Sequence, residues 1–157
     1  MKTNRVLKMD NQKGFSLIEM IVAVAIIATL TGIAIPVYIG MKPSIRLSGA
    51  TRQIMGDLMW ARMQAISQNN EFKISFLADN YRYTILDDDD NDGNIDSGES
   101  IITRNIQDKY SDITFSSTAD PIFHPRGNAA PTATITIINS FGTKTVTIAV
   151  TGRVKKQ

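Results

Sequence analysis

The chain of 157 residues contains no cysteine and only one histidine, His124. The lack of cysteine excludes disulfide bridges, thiolate metal sites and thiol nucleophiles. One histidine without a nucleophile-elbow motif gives no basis for a Ser-His-Asp triad, and the sequence has no glycine-rich phosphate loop. We therefore expect no enzyme, and we interpret His124, between Phe123 and Pro125, as a turn residue.

Charge is scarce in residues 15–39, where Glu19 is the only charged residue. A helix of that length spans about 37 Å at ~1.5 Å per residue, enough to cross a bilayer core. An ionised side chain inside hydrocarbon costs roughly 2.5–3.5 kcal/mol, so Glu19 is a functional candidate that requires a cation. Cleavage after Gly14 would create such a cation, the new amino terminus at Phe15.

Residues 13–19 read Lys-Gly-Phe-Ser-Leu-Ile-Glu and resemble the processing site of type IV pilins and type II secretion pseudopilins. The resemblance implies that prepilin peptidase cuts after Gly14 and methylates Phe15. It also implies that Glu19 pairs with the terminal amine of a neighbouring subunit during filament assembly. The alternative is a signal anchor or a secretory signal peptide, although the apolar run is long for a signal peptide and no clean Ala-x-Ala site follows it.

Positive charge is concentrated in residues 1–14, which we interpret as a cleaved leader with four basic residues and one acidic residue. The remaining chain carries 13 basic and 14 acidic residues. Positive charge before an apolar segment keeps that end in the cytoplasm. We therefore expect a single-pass protein of the inner membrane with its head in the periplasm, which later enters a filament or reaches the cell surface.

The spacing of apolar residues predicts a long helix followed by strands. The membrane-spanning half covers residues 15–39, and Pro36 and Pro43 mark points where the helix can kink or break. Apolar residues then recur every three or four positions, which predicts an amphipathic half over residues 40–68: Leu47, Thr51, Ile54, Leu58, Ala61 and Ala65, widened by Met55, Met59 and Ile66.

From Glu71 onward, apolar and polar residues alternate, as in half-buried strands. The alternation predicts strands at 72–76, 81–85, 100–104, 112–116, 132–138 and 143–150. The prediction is an α+β protein in which the long helix packs on a small antiparallel β-sheet head, residues 69–157, as in the pilin fold. Segments 50–53, 60–66, 123–127 and 151–154 resemble GspH/FimT-type minor pilins. This resemblance implies a minor subunit of a type IV pilus or a type II secretion pseudopilus, with other pilin or pseudopilin subunits as partners.

Residues 88–99 match the twelve-residue calcium loop of EF-hands. The predicted ligands are Asp88, Asp90, Asp92, Asn94 through its backbone carbonyl, Asp96 and Glu99. Gly93 permits the sharp turn, and Ile95 is expected to point inward and anchor the loop. Strand-like flanks predict a Ca²⁺ loop between strands without a helix pair. The alternative is a solvated acidic loop that binds no ion.

The segment from Arg153 to Lys156 is basic, and the resemblance to minor pilins implies a second hypothesis, a minor pilin that binds DNA during uptake. Arg153, Lys155 and Lys156 would contact phosphates. No aromatic residue interleaves with them to form a stacking platform, and the alternative is a solubilising, frayed terminus. A calcium-dependent membrane protein that never assembles is a third, weaker reading.

Overall fold

The computed structural model describes residues 14–96 and 98–157, so the predicted leader lies outside the described residues except for Gly14. The chain divides into two compact units, Met1–Gly40 and Met41–Gln157. One helix, α1, runs from Leu17 to Gln68 and contributes residues to both. The helix continues past Pro36 and Pro43, where a break was predicted. Proline removes one donor from a helix, and residues on either side can still form their own bonds.

The described part of the first unit, residues 14–40, is exposed along its whole length. The most apolar 18-residue stretch of α1 has a mean hydropathy of 2.5. By length and composition the helix can cross a membrane. The threonine hydroxyls are satisfied within the helix, because Thr29 donates to the Ile26 carbonyl at 2.8 Å and Thr31 to that of Ile27 at 2.7 Å. Such internal bonding is what an apolar environment requires of polar groups.

The second unit contains two antiparallel sheets, where the sequence predicted one. The first sheet has the order β3-β2-β1-β5-β6 and the second the order β4-β7-β8-β9. In chain order the strands are β1 Glu71–Phe76, β2 Arg82–Asp88, β3 Ser100–Asn105, β4 Thr114–Ser117, β5 Ile122–Phe123, β6 Ala129–Ala130, β7 Ala133–Asn139, β8 Gly142–Ile148 and β9 Val154–Lys156. A short 3-10 helix, Ile106–Asp108, follows β3.

One face of α1 and the inner faces of the sheets form the core. The predicted helix stripe is confirmed, since the buried helix residues are Leu47, Ala50, Thr51, Ile54, Leu58, Ala61 and Ala65. Met55 packs against this core. Met59 and Ile66 are half exposed, so their predicted place in the stripe was wrong. They lie on flanks of the helix that the sheets do not cover.

Strands β5, β6 and β9 were not predicted. The first two contain two residues each, too few to show alternation. Strand β9 reads Val-Lys-Lys, and its composition predicted a basic tail. In the structure it pairs with β8 through Val146↔Lys156 and Ile148↔Val154. Every residue of the buried core lies between Leu47 and Val154. The second unit thus holds its whole core, and we expect a fragment starting at Met41 to fold alone.

Candidate functional site

The acidic loop, residues 88–99, connects β2 to β3 at the end of a hairpin. The register Asp87↔Ser100 brings its two ends together. Asp88 closes β2 and is fully buried, while Asp90, Asp92 and Asp96 are exposed. This arrangement confirms the predicted strand flanks, which replace the helices of an EF-hand.

Backbone N–H groups hold the first carboxylates of the loop in a tight turn. Asp88 accepts from the N–H of Asp92 at 3.1 Å and from that of Gly93 at 2.7 Å. Asp92 accepts from the N–H of Asn94 at 2.7 Å. Gly93 has φ of 77°, a conformation that glycine adopts without strain. The glycine therefore has the role that the sequence assigned to it.

Five of the six predicted ligands converge in two overlapping groups. The ligand oxygens of Asp88, Asp90 and Glu99 lie within 4.8 Å of one another, and so do those of Asp90, Asp92 and Asp96. Oxygens on opposite sides of a Ca²⁺ ion at ~2.3–2.6 Å would be separated by about 5 Å. The separations within each group therefore suit ligands of one ion, and Asp90 belongs to both groups. Asn94, whose backbone carbonyl was predicted as a ligand, lies in the same turn.

Glu99 carries an orphaned atom within this loop. Its Oε2 atom accepts from the N–H of Asp96 at 2.9 Å. Its Oε1 atom is buried and has no hydrogen-bond partner in the described part of the chain. A buried carboxylate oxygen without a partner costs free energy. The Oε1 atom of Glu99 is thus a desolvated oxygen that a cation in the loop could contact.

Polar contacts fix the loop to the start of β1. Lys73 donates from Nζ to the Gly93 carbonyl at 2.7 Å. The Glu71 N–H donates to the Asn91 side chain at 2.8 Å, and Asn70 donates to Asp89 at 2.6 Å. Asp89 is not in the predicted ligand set. The Lys73 contact was not predicted, because it joins residues 20 positions apart.

The crowded carboxylates perturb one another. The Asp92 N–H lowers the pKa of Asp90, but burial and the neighbouring charges of Asp92, Glu99 and Asp88 outweigh it and raise that pKa overall. Burial raises the pKa of Asp87, and Asn70 partly offsets this effect. Hydrogen bonds from the Asn94 side chain and N–H lower the pKa of Asp92. Mutual repulsion is therefore strong where the predicted ligands meet.

The prediction for Ile95 was wrong, because its side chain is 67% exposed. In an EF-hand, flanking helices provide a surface for this residue to pack on. Here the loop joins two strands, and the contacts with β1 are polar. The loop is positioned by Asn70, Glu71 and Lys73 instead of by a hydrophobic anchor.

The predicted assembly residues lie at the start of α1. Gly14 and Phe15 precede the helix, and Phe15 is 80% exposed. Glu19 is in the first helical turn, where the partial positive charge of the helix terminus favours a carboxylate. Among the described residues, no hydrogen bond or ion pair reaches the side chain of Glu19. Its carboxylate is available to a partner outside these residues.

The three cations of the DNA hypothesis do not share one face. Alternation along β9 places Lys156 on the same side as buried Val154, and Lys155 on the other. Arg153 precedes the strand and is exposed. The segment is a paired strand and not the free basic tail that was predicted. This geometry disperses the charges that a phosphate backbone would contact.

Arg62 joins the segments that resemble GspH/FimT proteins. Its Nε atom donates to the Gly127 carbonyl at 2.8 Å, and its terminal nitrogen donates to the Thr151 carbonyl at 3.3 Å. Gly152 lies against the same point, where an added Cβ would be 1.9 Å from the Gly127 carbonyl oxygen. Segments 60–66, 123–127 and 151–154 thus meet around one guanidinium group. The sequence did not indicate this role, since the contacts cross 65 and 89 positions.

His124 has a partner that the sequence did not suggest. Its Nδ1 atom lies 2.6 Å from Glu71 Oε1. The Gly127 N–H donates to the His124 carbonyl at 2.8 Å, a bond typical of a turn. The histidine therefore lies in a turn, as expected, and also links β5 to β1.

The fold is similar to that of two solved minor subunits. The type IV minor pilin FimU of Pseudomonas aeruginosa is 19% identical, with a TM-score of 0.54 over 71% of this chain and 87% of its own. The minor pseudopilin EpsH of the type 2 secretion system of Vibrio cholerae is 12% identical, with a TM-score of 0.57 over 71% and 96%. No curated protein matches the chain.

Two family models match the sequence. Residues 9–35 match the prokaryotic N-terminal methylation motif, and residues 50–152 match the model described as Type II transport protein GspH. An apolar helix followed by this two-sheet head is the architecture of pilin-like subunits. The chain belongs to the GspH family and is a minor pilin or pseudopilin. The predicted pilin fold is thereby confirmed.

Proposed function

We propose that this chain is a structural filament subunit of a type IV pilus or type II secretion pseudopilus. Prepilin peptidase cuts it after Gly14, and α1 inserts among the helices of other subunits. Before assembly the helix anchors it in the inner membrane, with the head in the periplasm. The observation that carries the proposal is Glu19, a single carboxylate without a described partner on an otherwise apolar, exposed helix.

The chemistry of the cut end complements Glu19. Cleavage after Gly14 leaves a terminal amine on Phe15, and methylation keeps its positive charge. In an apolar filament core, an unpaired carboxylate is costly and an ion pair offsets that cost. The amine of one subunit and Glu19 of another would therefore set the axial position of the incoming helix.

Processing is tested by the intact mass of the protein extracted from membranes with active prepilin peptidase. The proposal predicts a chain that begins at methylated Phe15. A Gly14→Leu variant should keep its leader, because the peptidase site accepts a small residue there, while Gly32→Leu is a matched control that should be cut normally. A wild-type protein that retains Met1 in such cells would contradict the proposal.

We propose in addition that the acidic loop holds one Ca²⁺ ion through Asp88, Asp90, Asp92, Asn94, Asp96 and Glu99. The donor set fits, because Ca²⁺ takes six to eight oxygen ligands from a compact turn. The buried, partnerless Oε1 atom of Glu99 supports it further. When bound, the ion supplies positive charge that offsets the repulsion among seven carboxylates in residues 87–99.

Bound calcium would act on the head and not on the anchor. The loop closes the β2–β3 hairpin and contacts β1, so its order affects three strands of the first sheet. Without a cation, the repelling carboxylates favour an open loop. Calcium of the extracellular medium or periplasm would thus stabilise the head in the compartment where we place it.

A further inference from the structure

Three cations lie on one side of the second unit, and only one of them, Lys156, belongs to a site already described, the DNA hypothesis. Lys144 lies in β8, opposite buried Ile137 of β7, so its side chain emerges on the inner face of the sheet. Its Nζ atom donates to Ser48 Oγ on α1 at 2.6 Å. Lys144 is therefore held between the sheet and the helix at the edge of the core.

The other two cations flank this point. Lys156 pairs with Val146, two residues from Lys144, so both lysines share the inner face. Arg52 follows Ser48 by one helical turn and lies on the same side of α1. We name Arg52, Lys144 and Lys156 the basic cluster. It could not be found in the sequence, because its members come from a helix and two separate strands.

The basic cluster has no internal counter-charge. The ion pairs of the described residues are Arg46–Asp112, Arg82–Asp79, Arg104–Asp57 and His124–Glu71, and none includes a member of the cluster. Burial, Lys156 and Arg52 together lower the pKa of Lys144. Like charges held this close destabilise the isolated head, and an anion bound among them would offset the repulsion.

We propose that the basic cluster is a docking site for carboxylate side chains on the head of a neighbouring filament subunit. The proposal rests on the proposed filament function. Charged pairs at the edge of an interface fix register and exclude wrong partners. Docking would therefore position the head, while Glu19 positions the helix.

Geometry favours carboxylates over a nucleic acid. A phosphate backbone is usually contacted along an extended basic stripe, whereas Arg52 and Lys156 flank the single contact between Lys144 and Ser48.

A second copy of this head would offer the complementary charge. This chain carries seven carboxylates in residues 87–99, beyond the end of α1, and two of them, Asp87 and Asp89, lie outside the proposed calcium ligands. The basic cluster lies beside Ser48 and Arg52, nearer the start of the second unit. When heads stack along the helix direction, the acidic end of one approaches the basic side of the next.

Zero-length crosslinking of the full-length protein in native membranes tests the proposal. A carbodiimide joins a lysine amine to a carboxylate only when the two are in contact. We expect amides between Lys144 or Lys156 and Asp or Glu residues of another filament subunit, identified by mass spectrometry. Crosslinks from these lysines only within their own chain would overturn the proposal.

Charge reversal supplies the matched comparison. Lys144→Glu with Lys156→Glu should reduce incorporation into filaments roughly 5- to 10-fold, as expected for the loss of a partly buried charge pair. The control, Arg153→Glu with Lys155→Glu, makes the same change in charge without touching the cluster and should incorporate within about 2-fold of wild type. Equal incorporation of the two double variants would contradict the proposal.

A neutral variant separates docking from folding. Lys144→Met with Lys156→Met removes repulsion, so its melting temperature should equal or exceed that of the wild type, although its incorporation falls. A purely structural role predicts a lower melting temperature and normal incorporation of the folded fraction. Reversal of the crosslinked partner carboxylate to lysine should restore incorporation of the Lys144→Glu and Lys156→Glu variant.

Two further measurements distinguish failure of the proposed docking site from failure of the proposed filament function. The first is the acetylation of Lys144 at physiological salt. If duplex DNA or phosphatidylglycerol vesicles protect Lys144 and partner subunits do not, the cluster binds phosphate groups and the proposed carboxylate docking is wrong. A single cysteine at Ala28, unique in this chain, reports helix packing in the same membranes. Helix crosslinks without cluster crosslinks overturn only the docking site, whereas the absence of both overturns the filament function.

Discussion

Arg62 lies on α1 and donates a 2.8 Å hydrogen bond to the Gly127 carbonyl, which joins the helix to the turn after β5. A second bond reaches Thr151 before β9. One side chain thus connects the helix to loops that belong to both sheets. This position brings together three of the four GspH/FimT-like segments, which lie far apart in the sequence.

Replacement of Arg62 by Ala should destabilise the head fragment 41–157. Two carbonyl oxygens would lose a charged donor, a loss that costs about 1–3 kcal/mol. Arg52→Ala is the matched control on the same helix, and it should not lower the free energy of unfolding, because Arg52 makes no bond to a loop among the described residues and its replacement removes one of the like charges of the basic cluster. Urea unfolding followed by circular dichroism measures both. Equal free energies of unfolding for the two variants would contradict a stabilising role for the Arg62 hydrogen bonds.

Gly152→Ala should be more damaging than the loss of Arg62. The new Cβ would lie 1.9 Å from the Gly127 carbonyl oxygen, and Gly152 has φ of 71°, which disfavours any side chain. We expect a loss of at least about 3 kcal/mol. Gly56→Ala, on the open side of α1 with nothing within 4 Å, should instead stabilise the fragment by roughly 0.5–1 kcal/mol. A tolerated Gly152→Ala would contradict the packing around Arg62.

Calcium should raise the melting temperature of the head fragment. The expected dissociation constant is as weak as ~10⁻⁴–10⁻³ M, as in extracellular modules. At about 10-fold excess over that constant the ion adds about 1.4 kcal/mol, which corresponds to roughly 5 °C for a head of this size. Addition of EDTA should reverse the shift, and magnesium should reproduce little of it.

Three single substitutions in the loop distinguish binding from general screening. Asp88→Ala or Glu99→Ala should abolish the calcium shift, because each removes a predicted ligand. Asp89→Asn removes a loop charge outside the ligand set and should retain the shift. Isothermal calorimetry of the wild type at several millimolar Ca²⁺ measures binding directly. The absence of heat would contradict the calcium proposal and favour a solvated acidic loop.

Binding to duplex DNA should be weak or absent for the head fragment. Arg153, Lys155 and Lys156 lie on different sides of β9, and the acidic loop repels phosphates. Any binding should fall with rising salt, with a log–log slope of roughly −2 to −3 for three contacts. A sub-micromolar, salt-sensitive complex lost in a triple alanine variant would restore the DNA-uptake hypothesis.

The sequence predicted a helix or strand wherever the spacing of apolar residues repeats several times within that one element. The stripe from Leu47 to Ala65 and the alternation from Phe72 to Phe76 each repeat over several residues. Two-residue β5 and β6 are too short to repeat, and β9 is defined by its pairing with β8. The separation into two sheets depends on such long-range pairings, so the sequence indicated strands but not their order.

The same limit applies to the sites. The acidic loop and the Gly14–Glu19 segment are contiguous, so their residue types and spacing are visible in the sequence. Arg62 and the basic cluster act through contacts between distant segments. Ile95 shows the opposite error, since a pattern borrowed from helical flanks predicted a buried anchor that strand flanks do not provide.

The behaviour of Glu19 in the membrane tests the central claim most directly. Glu19→Ala should insert in the membrane at least as well as wild type, because a charge is removed from an apolar segment. It should nevertheless fail to join filaments, because the pairing with the Phe15 amine is lost, whereas Thr31→Val in the same helix should join normally. The measurement is the fraction of each processed variant crosslinked to other filament subunits through a cysteine at Ala28. The account predicts a loss of at least about 10-fold for Glu19→Ala alone, and incorporation equal to wild type would contradict it.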